Sequence, residues 1–510
     1  MSSDRHVRLL RMAEWLMASC VIAAALLTLW HAVSEARLPY QLDYEEGNIL
    51  NAGVRVDAGQ TAYPDPAAYP NVLDPYGPAG YILAAGSVRM GGVNFTLARL
   101  ATLGCGLIIA LLLVLLIRGW SGSPVLAAAF GLYFVANGVS RVWLPLLRVD
   151  FPAIALSLAG LWVCLQGERE ERPAGRLWLP AALLFALAIF VKYTALAAPA
   201  ACVLYLLVRR EFRRALLLAA TIGVLCAAGF AAMQAATGGQ FAFHMFRTHP
   251  DPYTFRRLLG IFILVEPSLV ALLPFLPAFV LCKSRHQLAA LLYLVCAVGV
   301  VLATGGKTGS FINHFLEPIA ACTLAAALGY QAWAQSPRAP RLLPLLTSLV
   351  GVVALYLAGA FTQDARAIPL QVSGCAEAYR FVRESPPRPI LSENTGIVVL
   401  AGRVPEVSNP FVLNQLVRHR ALPAAPLERM VAERKFGIIV LTNDPETMEM
   451  AGSTRWWPRL VRLMDQNYRV AKYYDCSEAN VVLEPRPAAP AGQPAEPAGR
   501  TSAARSASGP

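Results

Sequence analysis

The chain has 510 residues, of which 56% are hydrophobic and only 15% are charged. Soluble domains carry about 25% charged residues, so this composition excludes an ordinary soluble protein and predicts a membrane protein. The net charge of +12 comes mostly from arginines in the loops between apolar runs, and we therefore expect no nucleic-acid partner.

Apolar runs recur along the chain as far as Phe361. Most are near the roughly 20 residues that cross a bilayer, where the backbone must satisfy its own hydrogen bonds and therefore forms helices. A soluble helical protein would need polar faces at helical spacing, and these runs lack them. The predicted spans, about eleven in number, are 13–33, 97–117, 124–140, 152–166, 177–191, 193–208, 215–236, 259–282, 287–304, 315–334 and 342–361.

One shorter apolar stretch, 77–93, decides the direction of the spans. It is rich in glycine and contains Arg89, and we interpret it as an interfacial helix at the outer surface. The basic loops then fall on the inner side, as the positive-inside rule requires. The N-terminus is therefore predicted to be cytoplasmic, the first span an uncleaved anchor, and Lys192 part of an outer turn between two helices. The basic residues concerned are Arg5, Arg8, Arg11, Arg118, Arg169, Arg172, Arg176, Arg209, Arg210, Arg213, Arg214, Lys283, Arg285, Arg338 and Arg341.

The composition changes after Phe361, where short strand-like runs alternate with helical stretches. This alternation predicts a small α/β domain with a mainly parallel sheet. The fold class is thus an α-helical polytopic membrane protein with an interfacial helix and a small C-terminal extracytoplasmic α/β domain. The predicted domains are 1–361, which includes the first outer loop 34–96, then 362–486, and a disordered tail over 487–510. The predicted strands are 388–392, 436–442, 468–474 and 480–485, and the helices are 426–435 and 455–466.

Two of the ten cysteines, Cys375 and Cys476, lie in this C-terminal domain, near its two ends. The predicted compartment is oxidising, so the two residues are candidates for a disulfide, which would stabilise the domain by about 4–5 kcal/mol in the chain-entropy model. The alternative is a pair of unrelated buried thiols.

Charged residues at the outer ends of the spans are the candidate functional groups, because charge near lipid is costly. The first outer loop contains Asp43, Glu45 and Glu46 within four positions, although a solvated acidic loop would have the same composition. Arg148 and Asp150 lie at the mouth of the span that follows them, where the aspartate could equally be a helix cap. Other outer loops contain Lys192, Tyr193, His244, Arg247, His249, Asp251, Arg256, Arg257, Lys307, Asn313, His314 and Glu317.

Carboxylates and cations together at one membrane face are what a transferase with a lipid-phosphate donor needs. A carboxylate can act as general base towards an acceptor hydroxyl, while arginine and lysine hold the departing phosphate. Two other functions stay open, a transporter or flippase of lipid-linked sugars and a non-catalytic membrane scaffold. A transporter would place its charges nearer the bilayer midplane.

The motifs, in their order along the chain, resemble the GT-C superfamily of integral membrane glycosyltransferases. Within it they are similar to bacterial relatives of the aminoarabinose transferase and protein O-mannosyltransferase group. Each motif is weak alone, and the resemblance rests on their order over most of the chain. The motifs are DYEEG (43–47), GQTAYPD (59–65), DPYGPAGYILAA (74–85), VNFTLARLATLGCG (93–106), the R-x-D element 148–150, VKYTALAAP (191–199), KTGSFINHFLEP (307–318) and ILSENTGIVVLAGRVPEVSNPF (390–411).

The resemblance implies an inverting transfer of a hexosyl or pentosyl group from a polyprenyl-phosphate sugar at the periplasmic face. It implies that Asp43 is the base, although Tyr44 separates it from Glu45 and Glu46, so the base remains open among the three acids. Asp150 would then orient the acceptor or an ion. The phosphate would be bound by Arg148, Lys192 and Lys307, and Tyr76, His244, Arg247, Asn313 and Glu317 are further candidates.

The implied location is the bacterial inner membrane, with the C-terminal domain in the periplasm. The partners would be the lipid-linked donor, the surrounding membrane lipid, and a lipid, glycan or protein acceptor. A divalent metal ion assists some members of the superfamily, but the sequence has no His/Cys cluster with zinc spacing. It also has no P-loop or dinucleotide-binding glycine motif, which argues against direct use of a nucleotide donor.

Overall fold

The computed structural model of the protein describes residues 2–166, 178–248, 252–279, 284–336, 341–360, 368–476 and 478–487. Several predictions therefore lie outside the described residues, among them the disordered tail beyond residue 487. The predicted loop residues outside the described ranges are Arg169, Arg172, Arg176, His249, Asp251, Lys283 and Arg338.

Most of the described residues as far as 360 are helical. The loop 34–96 contributes α2 and α3, and each of the remaining helices overlaps a predicted span. Their bounds are α1 Ser2–Ala36, α2 Tyr44–Asp57, α3 Pro78–Gly91, α4 Thr96–Ser121, α5 Pro124–Ala136, α6 Gly138–Trp143, α7 Asp150–Gln166, α8 Trp178–Val191, α9 Ala197–Val208, α10 Phe212–Ala236, α11 Phe255–Leu269, α12 Leu276–Phe279, α13 Arg285–Thr304, α14 Leu316–Ala334 and α15 Leu343–Ala360.

Many of these helices are apolar enough to lie in a membrane. Among the described residues, five are long enough to cross it by length and composition, and five shorter apolar helices of 10–17 residues accompany them. The helix α14 is enclosed along most of its length, whereas α10 buries only Ala215 and Leu218. The bundle is thus arranged around α14, and the fold is that of a multi-pass membrane protein, as the sequence predicts.

Two predicted spans are interrupted. The segment 259–282 was expected to be one helix, but α11 ends at Leu269 and a single 3₁₀ turn, Leu273–Phe275, precedes the short α12. Proline lacks a backbone donor and clashes with the preceding turn, and Pro274 and Pro277 explain the break. In the segment 124–140, Asn137 ends α5 and caps α6 by accepting hydrogen bonds from two backbone amides.

The C-terminal part forms one four-stranded sheet with helices around it. The strand order is β1-β2-β4-β3. Only β1 and β2 are parallel, and β4 pairs antiparallel with both neighbours. The prediction of a mainly parallel sheet was therefore wrong. The elements are α16 Ile368–Glu384, β1 Ile390–Ser392, α17 Thr395–Leu400, α18 Pro410–Arg418, α19 Ala425–Ala432, β2 Ile438–Leu441, α20 Pro445–Ala451, α21 Pro458–Asn467, β3 Tyr468–Tyr473 and β4 Val481–Pro485.

The cause of this error is the last strand. β4 follows β3 directly in sequence but lies between β2 and β3, because its apolar residues Val481, Val482 and Leu483 are buried at the centre of the sheet. A disulfide joins Cys375 in α16 to Cys476 just before β4. The domain boundaries at 361 and 486 remain predictions.

The C-terminal unit is joined to the first outer loop by backbone hydrogen bonds. The amide of Asn71 donates to the carbonyl of Glu406 at 2.7 Å, and the amide of Ser408 donates back to the carbonyl of Asn71 at 2.9 Å. The side chain of Gln41 accepts from the amide of Gly396 at 2.8 Å. The loop and the unit are therefore in direct contact at both Asn71 and Gln41.

The two parts also approach each other closely at Gly47. Gly47 lies in the first turns of α2 and Gly396 in α17, and a Cβ atom on Gly47 would overlap the side-chain oxygen of Gln41 and the backbone of Gly396. The missing side chain of Gly47 allows the two helices to come this close.

Replacing Gly47 by alanine should therefore push α2 away from α17. We expect Gly47→Ala to lower the apparent melting temperature of the purified protein and to increase proteolysis between the bundle and the C-terminal unit. Gly86→Ala in α3 is the matched control, because a Cβ at Gly86 meets no atom within 4 Å, and alanine in a helix is favoured over glycine by about 1 kcal/mol. Equal melting of the two variants would contradict this account of the contact.

Candidate active site

The first turn of α2 is held by a buried ion pair between Glu46 and Arg99, a residue of α4. Both side chains are fully buried, and the guanidinium donates to both carboxylate oxygens at 2.7 Å. Glu46 also accepts from the backbone amides of Leu42 and Leu147, each at 2.7 Å. Because its oxygens are occupied in this way, Glu46 anchors the loop and does not face a substrate site.

Asp43 is the N-cap of α2. Its side chain accepts from the amide of Glu45 at 3.1 Å and forms a 2.8 Å ion pair with Arg148. Burial raises the pKa of Asp43 to about 6, against the opposing effect of the Arg148 charge. A carboxylate with such a pKa is well suited to accept a proton near neutral pH.

Glu45 is buried and held by two amide side chains. Its Oε1 accepts from Asn409 of the C-terminal unit at 3.1 Å, and its Oε2 accepts from Asn48 at 3.2 Å. These donors are neutral, so they orient the carboxylate without neutralising it.

Asp150, the first residue of α7, joins several elements. Its Oδ1 accepts from Lys192 at 2.6 Å and from Asn313 at 2.9 Å. Its Oδ2 accepts from the Trp143 indole at 3.0 Å and lies 4.0 Å from Arg148. Asp150 therefore positions two cations and an amide at one place.

Glu45 lines one cavity, together with the cations that pair with Asp43 and Asp150, and this cavity encloses about 800 Å³ up to its open mouth. Glu45 contributes negative charge to its wall, and Arg148, Lys192 and Lys307 contribute positive charge. Within the described parts of the chain, Lys307 has no carboxylate partner. The other lining residues are Tyr44, Pro75, Tyr76, Tyr193, Thr194, Thr304, Thr308, Gly309, Ser310, Asn313, His314, Phe411 and Val412.

A second space is an apolar groove of about 1050 Å³. Among the described residues its lining is wholly apolar and comes mainly from α11, α13 and α14. Val301 and Leu302 of α13 line the groove, and Thr304 lines the cavity. In the same way His314 faces the cavity while the next residue, Phe315, faces the groove. The two spaces are thus lined by neighbouring residues of the same two segments.

Three candidates lie away from the main cavity. Arg247 is exposed outside it. The imidazole of His244 is buried, bonded to the carbonyl of Pro64 at 2.8 Å and to the amide of Asp74 at 3.2 Å, and burial lowers the pKa of His244. Glu317 lines a smaller adjacent cavity with Asp150 and Lys192.

The described residues do not fit a divalent metal ion. No group of three His, Cys, Asp or Glu side chains converges in the described ranges. Asp43 and Asp150 are each paired with a cation.

Sequence reasoning missed four residues of the site: Arg99, Trp143, Asn409 and Phe411. A charge inside an apolar span, such as Arg99, is a recognised signal for a structural or functional role. Asn409 and Phe411 belong to a quoted motif, but nothing in the sequence indicates that this turn reaches the first outer loop.

Comparison with known proteins bears on the fold that holds this site. Residues 75–235 match the family model of dolichyl-phosphate-mannose-protein mannosyltransferases. Two structures of ArnT from Cupriavidus metallidurans superpose with TM-scores of 0.63 and 0.62 at 13% and 14% identity, covering 91% of this chain and 97% of ArnT. The oligosaccharyltransferase AglB from Archaeoglobus fulgidus gives 0.53 at 13% identity over 89% of this chain and 72% of AglB. No curated protein matches the sequence.

The protein is thus a multi-pass membrane protein with the GT-C fold. The family match over residues 75–235 and the ArnT-like fold together confirm the resemblance to the GT-C superfamily that the motifs showed.

Removing Arg99 should leave the buried Glu46 carboxylate without its counter-charge. Breaking a buried ion pair costs about 3–5 kcal/mol, so we expect Arg99→Ala to lower the thermal stability of the detergent-solubilised protein strongly. The control is Arg89→Ala in α3, which removes an exposed arginine and should change stability by no more than about 0.5 kcal/mol. If Arg99→Ala has the same melting temperature as the wild type and Arg89→Ala, the ion pair does not anchor α2.

Proposed function

We propose that the protein is a glycosyltransferase that moves a sugar from a polyprenyl-phosphate donor to a hydroxyl group of an acceptor. The observation that carries this proposal is a cavity lined by one carboxylate and three cations, together with a wholly apolar groove that is lined by the neighbouring residues of the same two segments. A lipid-linked phosphate needs both, because its tail is apolar and its head is anionic.

The donor phosphate would lie among Arg148, Lys192 and Lys307, with the prenyl tail in the groove. Charge-assisted hydrogen bonds from these cations would stabilise the negative charge that develops on the leaving phosphate. Similar structures support this donor class, since ArnT has been determined bound to undecaprenyl phosphate and AglB in complex with an inhibitory peptide and a dolichol-phosphate.

In the proposed reaction Asp43 is the general base. Its carboxylate takes the proton of the acceptor hydroxyl, and the hydroxyl oxygen attacks the anomeric carbon from the side opposite the phosphate. The bond between that carbon and the phosphate oxygen breaks, so the configuration inverts and polyprenyl phosphate leaves. Asp43 ends the reaction protonated.

The ion pair between Asp43 and Arg148 links donor binding to this step. In this structure the Arg148 guanidinium lies 2.8 Å from the Asp43 carboxylate and pairs with it. A donor phosphate competes for the same guanidinium, and its binding would release Asp43 for the acceptor. The pair therefore favours an order in which the donor binds first.

The proposed location is the bacterial inner membrane, with this site and the C-terminal unit on the periplasmic side. The Arg-rich inner loops of the sequence support that direction. The acceptor would be a lipid, a glycan or a protein.

Asp43→Asn should abolish sugar transfer, since an amide cannot accept the proton, while the protein still accumulates in the membrane. In the wild type, kcat/KM should fall as the pH drops below about 6, because the base must be ionised to act and its pKa is raised to about 6. Labelled sugar transferred from the polyprenyl-phosphate donor, measured across pH, tests both expectations.

Glu45→Gln serves as the comparison for the identity of the base. It should weaken transfer but keep the acid limb of the pH profile. Full activity in Asp43→Asn, or loss of the acid limb only in Glu45→Gln, would assign the base to another residue.

Lys307→Ala should weaken donor binding. Loss of one hydrogen bond to a charged group costs about 1.5–3 kcal/mol, so the KM for the donor should rise about tenfold or more with a smaller change in kcat. Arg247→Ala removes an exposed cation outside the cavity and should leave the KM for the donor unchanged. Equal effects of the two substitutions would point to a general charge effect and contradict a phosphate site at Lys307.

A further inference from the structure

The C-terminal unit supplies one wall of the cavity. Phe411 and Val412, in the first turn of α18, line it directly. The ring of Phe411 lies 6.5 Å from that of Tyr44 in an edge-to-face arrangement, and the guanidinium of Arg455 lies 5.7 Å from the same tyrosine ring. The unit is therefore part of the site and not an appendage.

Asn409 connects this wall to the carboxylates of α2. It is fully buried and uses both ends of its amide. Its Oδ1 caps α18 by accepting from the amide of Val412 at 3.1 Å, and its Nδ2 donates to Oε1 of Glu45 at 3.1 Å. One side chain thus starts the helix and orients the acid.

Glu45 has only neutral side-chain partners in the described part of the structure. Its two partners, Asn409 and Asn48, are neutral donors. Among the residues that the structure describes, no cation pairs with Glu45, in contrast to Asp43, Glu46 and Asp150. Each carboxylate oxygen has a second lone pair, so Glu45 can still accept a hydrogen bond from a group in the cavity.

We infer that Asn409 is a positioning residue for the acceptor: it aims Glu45 into the cavity, where the carboxylate accepts a hydrogen bond from a hydroxyl group of the acceptor. This inference rests on the proposed transfer reaction. It divides the cavity into a donor side, formed by the cations, and an acceptor side, formed by Glu45 and by the aromatic rings of Tyr44 and Phe411.

The substitution Asn409→Asp separates the two roles of the side chain. A carboxylate at this position still caps α18, because it can accept from the amide of Val412. It no longer donates to Glu45 and places a like charge beside it. In the double substitution Glu45→Gln with Asn409→Asp, the new amide at position 45 donates to the new carboxylate at position 409. The hydrogen bond between the two positions is thus restored in the reverse direction, but α2 still lacks the carboxylate at position 45.

The assay uses the full-length protein in nanodiscs, with a labelled polyprenyl-phosphate sugar as donor. A serial dilution of an envelope extract from a strain that lacks the protein provides the acceptor. We expect Asn409→Asp to raise the half-saturating extract concentration about tenfold, the effect of one lost hydrogen bond to a charged group. The half-saturating donor concentration should stay within about twofold of the wild-type value. The midpoint of the acid limb of the pH profile should not move.

The double variant should recover thermal stability without recovering the half-saturating extract concentration. Two results would show a purely structural contact and overturn the inference. One is a double variant that recovers both thermal stability and the half-saturating extract concentration. The other is an Asn409→Asp variant in which the half-saturating concentrations of donor and extract rise in parallel. A wild-type protein that transfers no label would instead refute the proposed function itself, so the two failures are distinct.

Discussion

The site depends on the buried ion pair between Glu46 and Arg99. Two charges in a dry interior are stable only when the remaining donors and acceptors of both are also satisfied. Here the guanidinium also donates to the carbonyls of Leu38 and Tyr40, and the carboxylate accepts backbone amides from its own loop and from Leu147. The first turn of α2 is thereby fixed to α4 and to the segment before α7.

This anchor determines where the other two acids of the loop point. Asp43 begins α2 and faces Arg148, while Glu45 faces the C-terminal unit. Three acids within four positions thus have three different environments. Both carboxylate oxygens of Glu46 accept hydrogen bonds from a cation and from backbone amides. The carboxylate of Asp43 pairs with a cation, and that of Glu45 accepts hydrogen bonds from neutral side-chain amides. The difference in partners, and not in residue type, separates an anchor from a base and from an acceptor ligand in the proposed reaction.

The C-terminal unit takes part in the same arrangement. It approaches α2 at the contact between Gly47 and Gly396 and reaches the cavity through the start of α18. If the unit moved away, Glu45 would lose one of its two donors. The C-terminal unit therefore contributes residues to a site that the sequence analysis assigned to residues 1–361.

The sequence by itself determined the helices, the positions of the strands and the set of charged residues at helix ends. These features are local, since apolar runs specify helices in lipid and short β-rich runs specify strands. The strand order and the partner of each acid became known only with the tertiary structure. Glu46 meets Arg99 across 53 residues and Glu45 meets Asn409 across 364. Hydrogen bonds are short and directional, so a contact between distant segments exists only once packing has brought them together.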